Sequence, residues 1–379
     1  MQLDLTSIPI IDHHAHSLLR SPPASPQEWQ GFFTESQEPE LVQKHGQNLL
    51  IYRYATKALA SLLGCDPTPE AVLAARDSMG LLAWSNLLIR DANIVGMLID
   101  YGFRSISNYS PEDLKVLLPC RLDPILRLET LAQDLILKMD TIEQVVEAFR
   151  AEVEAAPGQG YVAMKSIIAY RTGLAIHEWP NSELLAAFSL VKEKANKEGM
   201  IYLASPPIND MLVLHALDIA EKLRMPVQFH SGFGDADQDM LLSNPLHFRP
   251  WLQSGKYRHV PWVILHMGYP YVRQAGYLAS IYTNVFVDLS LVIPFAISDV
   301  SALLTELMGL APLSKLLYAS DGFSLPELFW LGAKIGREKL GLALGKLVEE
   351  SILNTAEAIE AAEMILYKNT ETVYGLKRD

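Results

Sequence analysis

Apolar residues in this chain come in short runs rich in Val, Ile and Leu, and from about residue 120 onward these runs alternate with longer amphipathic stretches. That alternation is expected of βα units feeding a parallel sheet. The runs predict strands at about 8–12, 94–99, 123–129, 161–168, 226–230, 262–267, 285–289 and 315–320. Helical spacing marks Glu183 to Glu198, Met211 to Leu223 and Pro326 to Leu340 between them, several opened by Asn, Asp, Ser or Pro at capping positions. Crossovers of this length suit right-handed βαβ connections. Eight such strands predict an α/β fold of the (β/α)₈ TIM-barrel kind, closed so that no sheet edge is exposed.

The span from about 22 to 90 is too long for one crossover and too rich in Leu and Ala for a structureless loop, so it predicts a helical insertion over the barrel mouth, after strand 1. Residues 346–367 carry apolar positions at helical spacing and predict a C-terminal helix. All 379 residues fit one barrel domain of this design.

Composition narrows the function. Half the residues are hydrophobic, enough for a large buried core. The 31 basic against 44 acidic residues give a formal charge of −13, which repels phosphate backbones and anionic lipid, so neither nucleic acid nor membrane is expected as a partner. Cys65 and Cys120 are far apart, with no CxxC spacing; a cytoplasmic setting is expected. The N-terminus shows no export signal, and no apolar run reaches membrane-spanning length. The partners left are a small-molecule substrate and, at most, further copies of the chain.

Distinctive polar residues fall at the C-terminal ends of the predicted strands, where barrel enzymes carry their active sites. Ile10-Ile11-Asp12-His13-His14-Ala15-His16 runs a strand into three histidines, and on extended chain His14 and His16 point the same way, able to aim two imidazoles at one ion. A polar loop with chance histidines is the alternative. His230 and His266 each close an apolar strand; one such histidine alone is more often structural, but two at matching positions favour a site. Leu316 to Gly322 delivers Asp321, either a ligand or the cap of the next helix, with Gly322 leaving room for close approach. Imidazoles with a carboxylate suit a divalent transition metal, Zn²⁺ by default, and a coordination position left open for water marks a catalytic site.

Lys165 places an ammonium near the end of strand 4. It faces acidic substrate groups, is carbamylated by CO₂ to bridge two metals, or snorkels to the barrel rim. Arg127 and Glu129 close strand 3 and Tyr170 and Arg171 follow strand 4, so all four are expected to face the mouth as substrate contacts, unless Arg127 and Glu129 form a structural ion pair. Arginine grips carboxylates, which favours a small anionic substrate such as an acylated amino acid.

The set Asp12-x-His14-x-His16, Lys165, His230, His266 and Asp321 resembles the amidohydrolase superfamily, more narrowly its amidohydrolase-related branch. Lys165 to Leu174, Gln228 to Asp235, Ser243 to Leu246 and Tyr318 to Gly322 look like the amidohydrolase domain of nodulin/glutamine-synthetase-like (FluG-type) proteins. The resemblance implies that His14, His16, His230 and Asp321 hold the principal metal. It makes His266 either a ligand of a second ion or a partner of the bound water. It also gives Asp321 and His266 catalytic roles: the metal acidifies water, Asp321 takes the proton and His266 or the metal polarises the attacked carbonyl. The expected activity is hydrolysis of a C–N, amide-type bond. A metal-dependent decarboxylase of the same superfamily and a non-catalytic metal-binding regulatory module are the alternatives.

Overall fold

The structure, a computed structural model, describes residues 1–103 and 107–376. Eight strands run in one parallel sheet in sequence order: β1 (Ile10–His16), β2 (Ile94–Asp100), β3 (Arg121–Arg127), β4 (Ala163–Ser166), β5 (Val227–Phe229), β6 (Trp262–Ile264), β7 (Val285–Asp288) and β8 (Leu316–Leu317). Every residue of β4, β5, β6 and β8 is buried. Continuous Val, Ile and Leu are what a strand covered on both faces requires. The eight strands form a nearly closed TIM barrel.

Closure between the last and first strands is made just beyond β8. The Asp321 amide donates to the His14 carbonyl (3.0 Å) and the His16 amide to the Gly322 carbonyl (2.8 Å). Asp12 braces the same seam: its buried carboxylate accepts from the Ser320 amide (2.9 Å) and hydroxyl (2.5 Å). Burial raises Asp12 to about 6 despite those donors.

All eight predicted strands are present, shifted in places by a few residues. β3 ends at Arg127, so Glu129 lies in the first turn of the helix Leu128–Lys138 rather than on the strand. β8 is two residues long; Asp321 is delivered by the segment after it, in left-handed backbone (φ 54°). The insertion is helical as expected, with helices Pro26–Gln30, Pro39–His45, Leu50–Leu63, Pro69–Met79 and Leu81–Asp91.

The C-terminal helix is corrected in its bounds. Residues 346–349 finish the long helix Pro326–Glu349, and the chain restarts at Thr355 and stays helical to Tyr374. The restart is dictated by a capping box, Glu357 N–H to Asn354 Oδ1 (3.0 Å) and Asn354 N–H to Glu357 Oε2 (2.8 Å). Among the described residues no helix is long and apolar enough to cross a membrane.

Candidate metal centre and active site

The strand ends bring the histidines and Asp321 together. His14 Nε2 lies 3.1 Å and His16 Nε2 3.2 Å from the same oxygen, Asp321 Oδ1. One ligand atom from each of these three residues lies within 4.8 Å of the others. The His16 ring is oriented from behind: its Nδ1 is 3.1 Å from the Asp100 carbonyl, so it is Nδ1 that carries the proton and Nε2 that offers a lone pair. Burial, reinforced by the Lys165 ammonium, lowers His14 to about 4, so this ring is neutral at neutral pH. Burial alone would raise Asp321, yet His266 and His14 hold its carboxyl well below the usual carboxylate range. An imidazole lone pair and a carboxylate oxygen at 3.2 Å repel one another unless a cation lies between them. The donor set therefore fits a divalent metal.

His230 and His266 form a second such pair. Ser290 Oγ donates to Asp288 Oδ2 (2.6 Å) and so accepts from His266 Nδ1 (2.8 Å), leaving His266 Nε2 unprotonated. His230 Nε2 faces two acceptors, the Phe233 carbonyl (3.0 Å) and Gln238 Oε1 (3.1 Å), so it carries the proton and leaves Nδ1 bare. Burial holds both rings well below the ordinary histidine range. The two bare nitrogens sit 2.9 Å apart, and His266 Nε2 is 3.8 Å from Asp321 Oδ2. His230 Nδ1 thus faces His266 Nε2, which in turn lies beside the Asp321 carboxylate.

Lys165 is buried, only 2% exposed, with Nζ 3.1 Å from His14 Nε2; it does not snorkel to the rim. Burial lowers it to about 8, although Asp321 and Asp100 pull the other way.

A cavity of about 200 Å³ opens over these groups, and Arg127, Tyr170 and Arg171 line it. Glu129 does not. It is buried behind the strand ends, where it accepts from Ser166 Oγ (2.6 Å). The Arg127–Glu129 ion pair is likewise replaced: Arg127 Nε and Nη2 both reach Asp100 Oδ2 (2.8 and 2.6 Å). Nor does Gly322 make room for a ligand, since a Cβ there would meet the Phe329 ring at 2.2 Å.

Several residues escaped the sequence reading. Asp100 and Asp288 end β2 and β7, the position that singled out the histidines, and the same rule would have found them. Both Glu35, from the insertion, and Asp235, after β5, line the cavity; Glu35 sits in an irregular segment without a motif, and Asp235 closes the Gln228–Asp235 stretch without having been singled out. Tyr374 reaches under the site from the far end of the chain, its hydroxyl 3.0 Å from His13 Nδ1 and 2.9 Å from Gln228 Nε2.

A family model described as Amidohydrolase matches residues 199–376. A metal-dependent hydrolase structure from Lactobacillus casei superimposes with a TM-score of 0.89 at 30% identity, over 99% of this chain and 98% of that one. The chain belongs to the amidohydrolase superfamily. Protein fluG of Emericella nidulans is 32% identical over 234 residues, 59% of this chain but only 26% of fluG, so the match spans about a quarter of that protein. Glucuronate isomerase from Caulobacter crescentus shares the fold (TM-score 0.69, 12% identity, 99% of this chain and 92% of that one). Membership of the superfamily makes a metal-dependent hydrolase the class of enzyme that this site resembles.

Proposed function

We propose that this amidohydrolase cleaves a C–N, amide-type bond of a small substrate that carries a carboxylate. The convergence of His14 Nε2 and His16 Nε2 on one Asp321 oxygen carries the reading. His14, His16 and Asp321 would hold the principal ion, zinc by preference for this donor set, with His230 and His266 available to a second. When bound, the ion supplies Lewis acidity, making water a nucleophile near neutral pH and polarising a carbonyl.

The chain's own residues supply the rest. Asp321, kept ionised by His266 and His14, is placed to accept a proton and return it to the leaving nitrogen. Asp288, acting through Ser290, fixes the His266 ring so that Nε2 faces the site. Arg171 lines the cavity with a cation suited to a substrate carboxylate. The insertion contributes Glu35 and so forms part of the wall.

Metal analysis followed by a screen of N-acyl and γ-glutamyl amides tests the class, with CO₂ release from candidate acids monitored in parallel; CO₂ without amide cleavage would favour the lyase. On the substrate found, Asp321→Asn should keep its metal and lose roughly 10²–10⁴-fold in turnover, because an amide cannot accept a proton. Near-normal turnover in a metal-loaded Asn variant would reduce Asp321 to a ligand.

A further inference from the structure

The hydrolytic reading gives Arg171 a substrate carboxylate to hold but leaves the two carboxyls near it without a chemical task. Glu35 comes from the insertion, Asp235 from the loop after β5 and Arg171 from the end of the short helix Ile168–Arg171 after β4, and all three line the cavity. The carboxyls of Glu35 and Asp235 are within hydrogen-bonding reach of each other. Burial, with Asp235 and Asp321 close by, pushes Glu35 up to about 8, and burial raises Asp235 as well. Two carboxyls side by side on one wall favour a cation between them.

Arg171 is held beside them with its guanidinium stacked 3.8 Å over the Tyr202 ring and Nη1 4.0 Å from Asp237. Two atoms of this group are buried with no hydrogen-bond partner among the described residues: Oε1 of Glu35 and Nε of Arg171. Each such orphan costs about 1–3 kcal/mol, so Glu35 and Arg171 are both left under-satisfied beside one small cavity. A lone carboxylate would suit Arg171 but be repelled by the acid pair. A lone amine would suit the acid pair but be repelled by Arg171. An ammonium and a carboxylate on one carbon suit the two together.

We propose that Glu35, Asp235 and Arg171 bind the free α-amino-acid head group of the substrate, the carboxyl pair taking its ammonium and Arg171 its carboxylate. The substrate is then a side-chain amide of a dicarboxylic amino acid with its amine unblocked, not an N-acyl amino acid. The identity of the scissile bond rests on the amidohydrolase reading; recognition of the head group does not.

Calorimetric titration of the zinc-loaded protein with L-glutamate, N-acetyl-L-glutamate and glutarate tests this without any turnover. L-glutamate should bind at least about tenfold more tightly than either of the others, the margin expected of one charged hydrogen bond. The double variant Glu35→Gln/Asp235→Asn, checked for unchanged melting temperature and metal content, should lose that preference. Should the pair prove necessary for folding, Glu35→Gln alone is expected to shrink it. Equal or tighter binding of N-acetyl-L-glutamate or glutarate, no binding of L-glutamate, or a preference that survives the folded variants would each overturn the assignment. A preference for L-glutamate in a protein that cleaves no amide would sink the hydrolytic reading alone, and cleavage of N-acyl amino acids without that preference would sink this one alone.

Discussion

Arg127 lines the cavity, yet its nearest partner is a protein carboxylate, and replacing it should damage the fold before it damages binding. Asp100 is fully buried at the end of β2, and the guanidinium places Nε and Nη2 at 2.8 and 2.6 Å from its Oδ2. Burial by itself would raise Asp100, but Arg127, helped by His16 and His14, brings it from the ordinary 3.8 down to about 2. At about 1.4 kcal/mol per pH unit that difference is worth roughly 2–3 kcal/mol. Because the folded value lies below the unfolded one, this contribution is complete above about pH 4 and is lost as pH falls toward 2. Arg127→Leu strands a buried carboxylate whose value then moves up, so its penalty is greatest at neutral pH and eases on acidification. Loss of one partner of a buried pair costs about 3–5 kcal/mol. Urea unfolding of both proteins at neutral pH and near pH 5, followed by tryptophan fluorescence, should show a deficit of that order that narrows in acid. Adding Asp100→Leu to the variant should recover most of it. A deficit below about 1 kcal/mol, or one that ignores pH, would refute the view that this pair is chiefly a structural one.

Exchange of both His14 and His16 for Ala should strip the principal metal, as measured by mass-spectrometric metal analysis; wild-type content would move the site elsewhere. Lys165→Met removes the cation beside His14, so in metal-free protein the His14 ring should titrate higher than about 4 by NMR, and an unchanged titration would show that Lys165 does not act on it. Loading the unmodified protein in ¹³C-bicarbonate should give a carbamate resonance that Lys165→Met lacks if the lysine bridges two ions, and no resonance leaves a single-ion site. Ser290→Ala frees the His266 ring and should weaken binding of a second metal equivalent by about 10–100-fold, whereas unaltered affinity would show that His266 holds no ion.

Barrel and histidine cluster were legible in the sequence for one physical reason: a strand buried on both faces is mostly apolar, and its polar side chains gather toward the C-terminal end. His16, Asp100, Asp288, His230 and Asp321 are all read by that rule, although Asp100 and Asp288 were passed over. Glu129 shows where the rule breaks. Its distance from the end of the apolar run suggested the mouth, but β3 stops at Arg127, and one turn of helix carries Glu129 behind the sheet to Ser166. Glu35 lay beyond reach because nothing local says which loop of a helical insertion will fold over a cavity built eight strands away. Gly322 misled for a related reason. A glycine near a site announces a close approach without naming what approaches, and here it is the Phe329 ring.

What the chain pattern could not convey is which nitrogen of each ring faces the site, and that decides the chemistry. Backbone strain does part of this work: His266, Met267, Leu291 and Asp321 all sit at positive φ, between 54° and 63°, where a non-glycine residue costs about 1–3 kcal/mol. The cost is borne on the mouth side of β6, β7 and β8, and it turns His266 and Asp321 toward each other. Hydrogen bonds from behind do the remainder, the Asp100 carbonyl for His16 and Ser290 with Asp288 for His266. Tyr374 extends this support to the end of the chain. Its hydroxyl contacts His13 Nδ1, while His13 Nε2 lies 3.2 Å from Asp288 Oδ2, the oxygen to which Ser290 donates. Buried polar groups therefore line up from the C-terminal helix through His13 to Asp288 and Ser290 behind the His266 ring, with His13 Nε2 in contact with Asp288 but making no hydrogen bond to it.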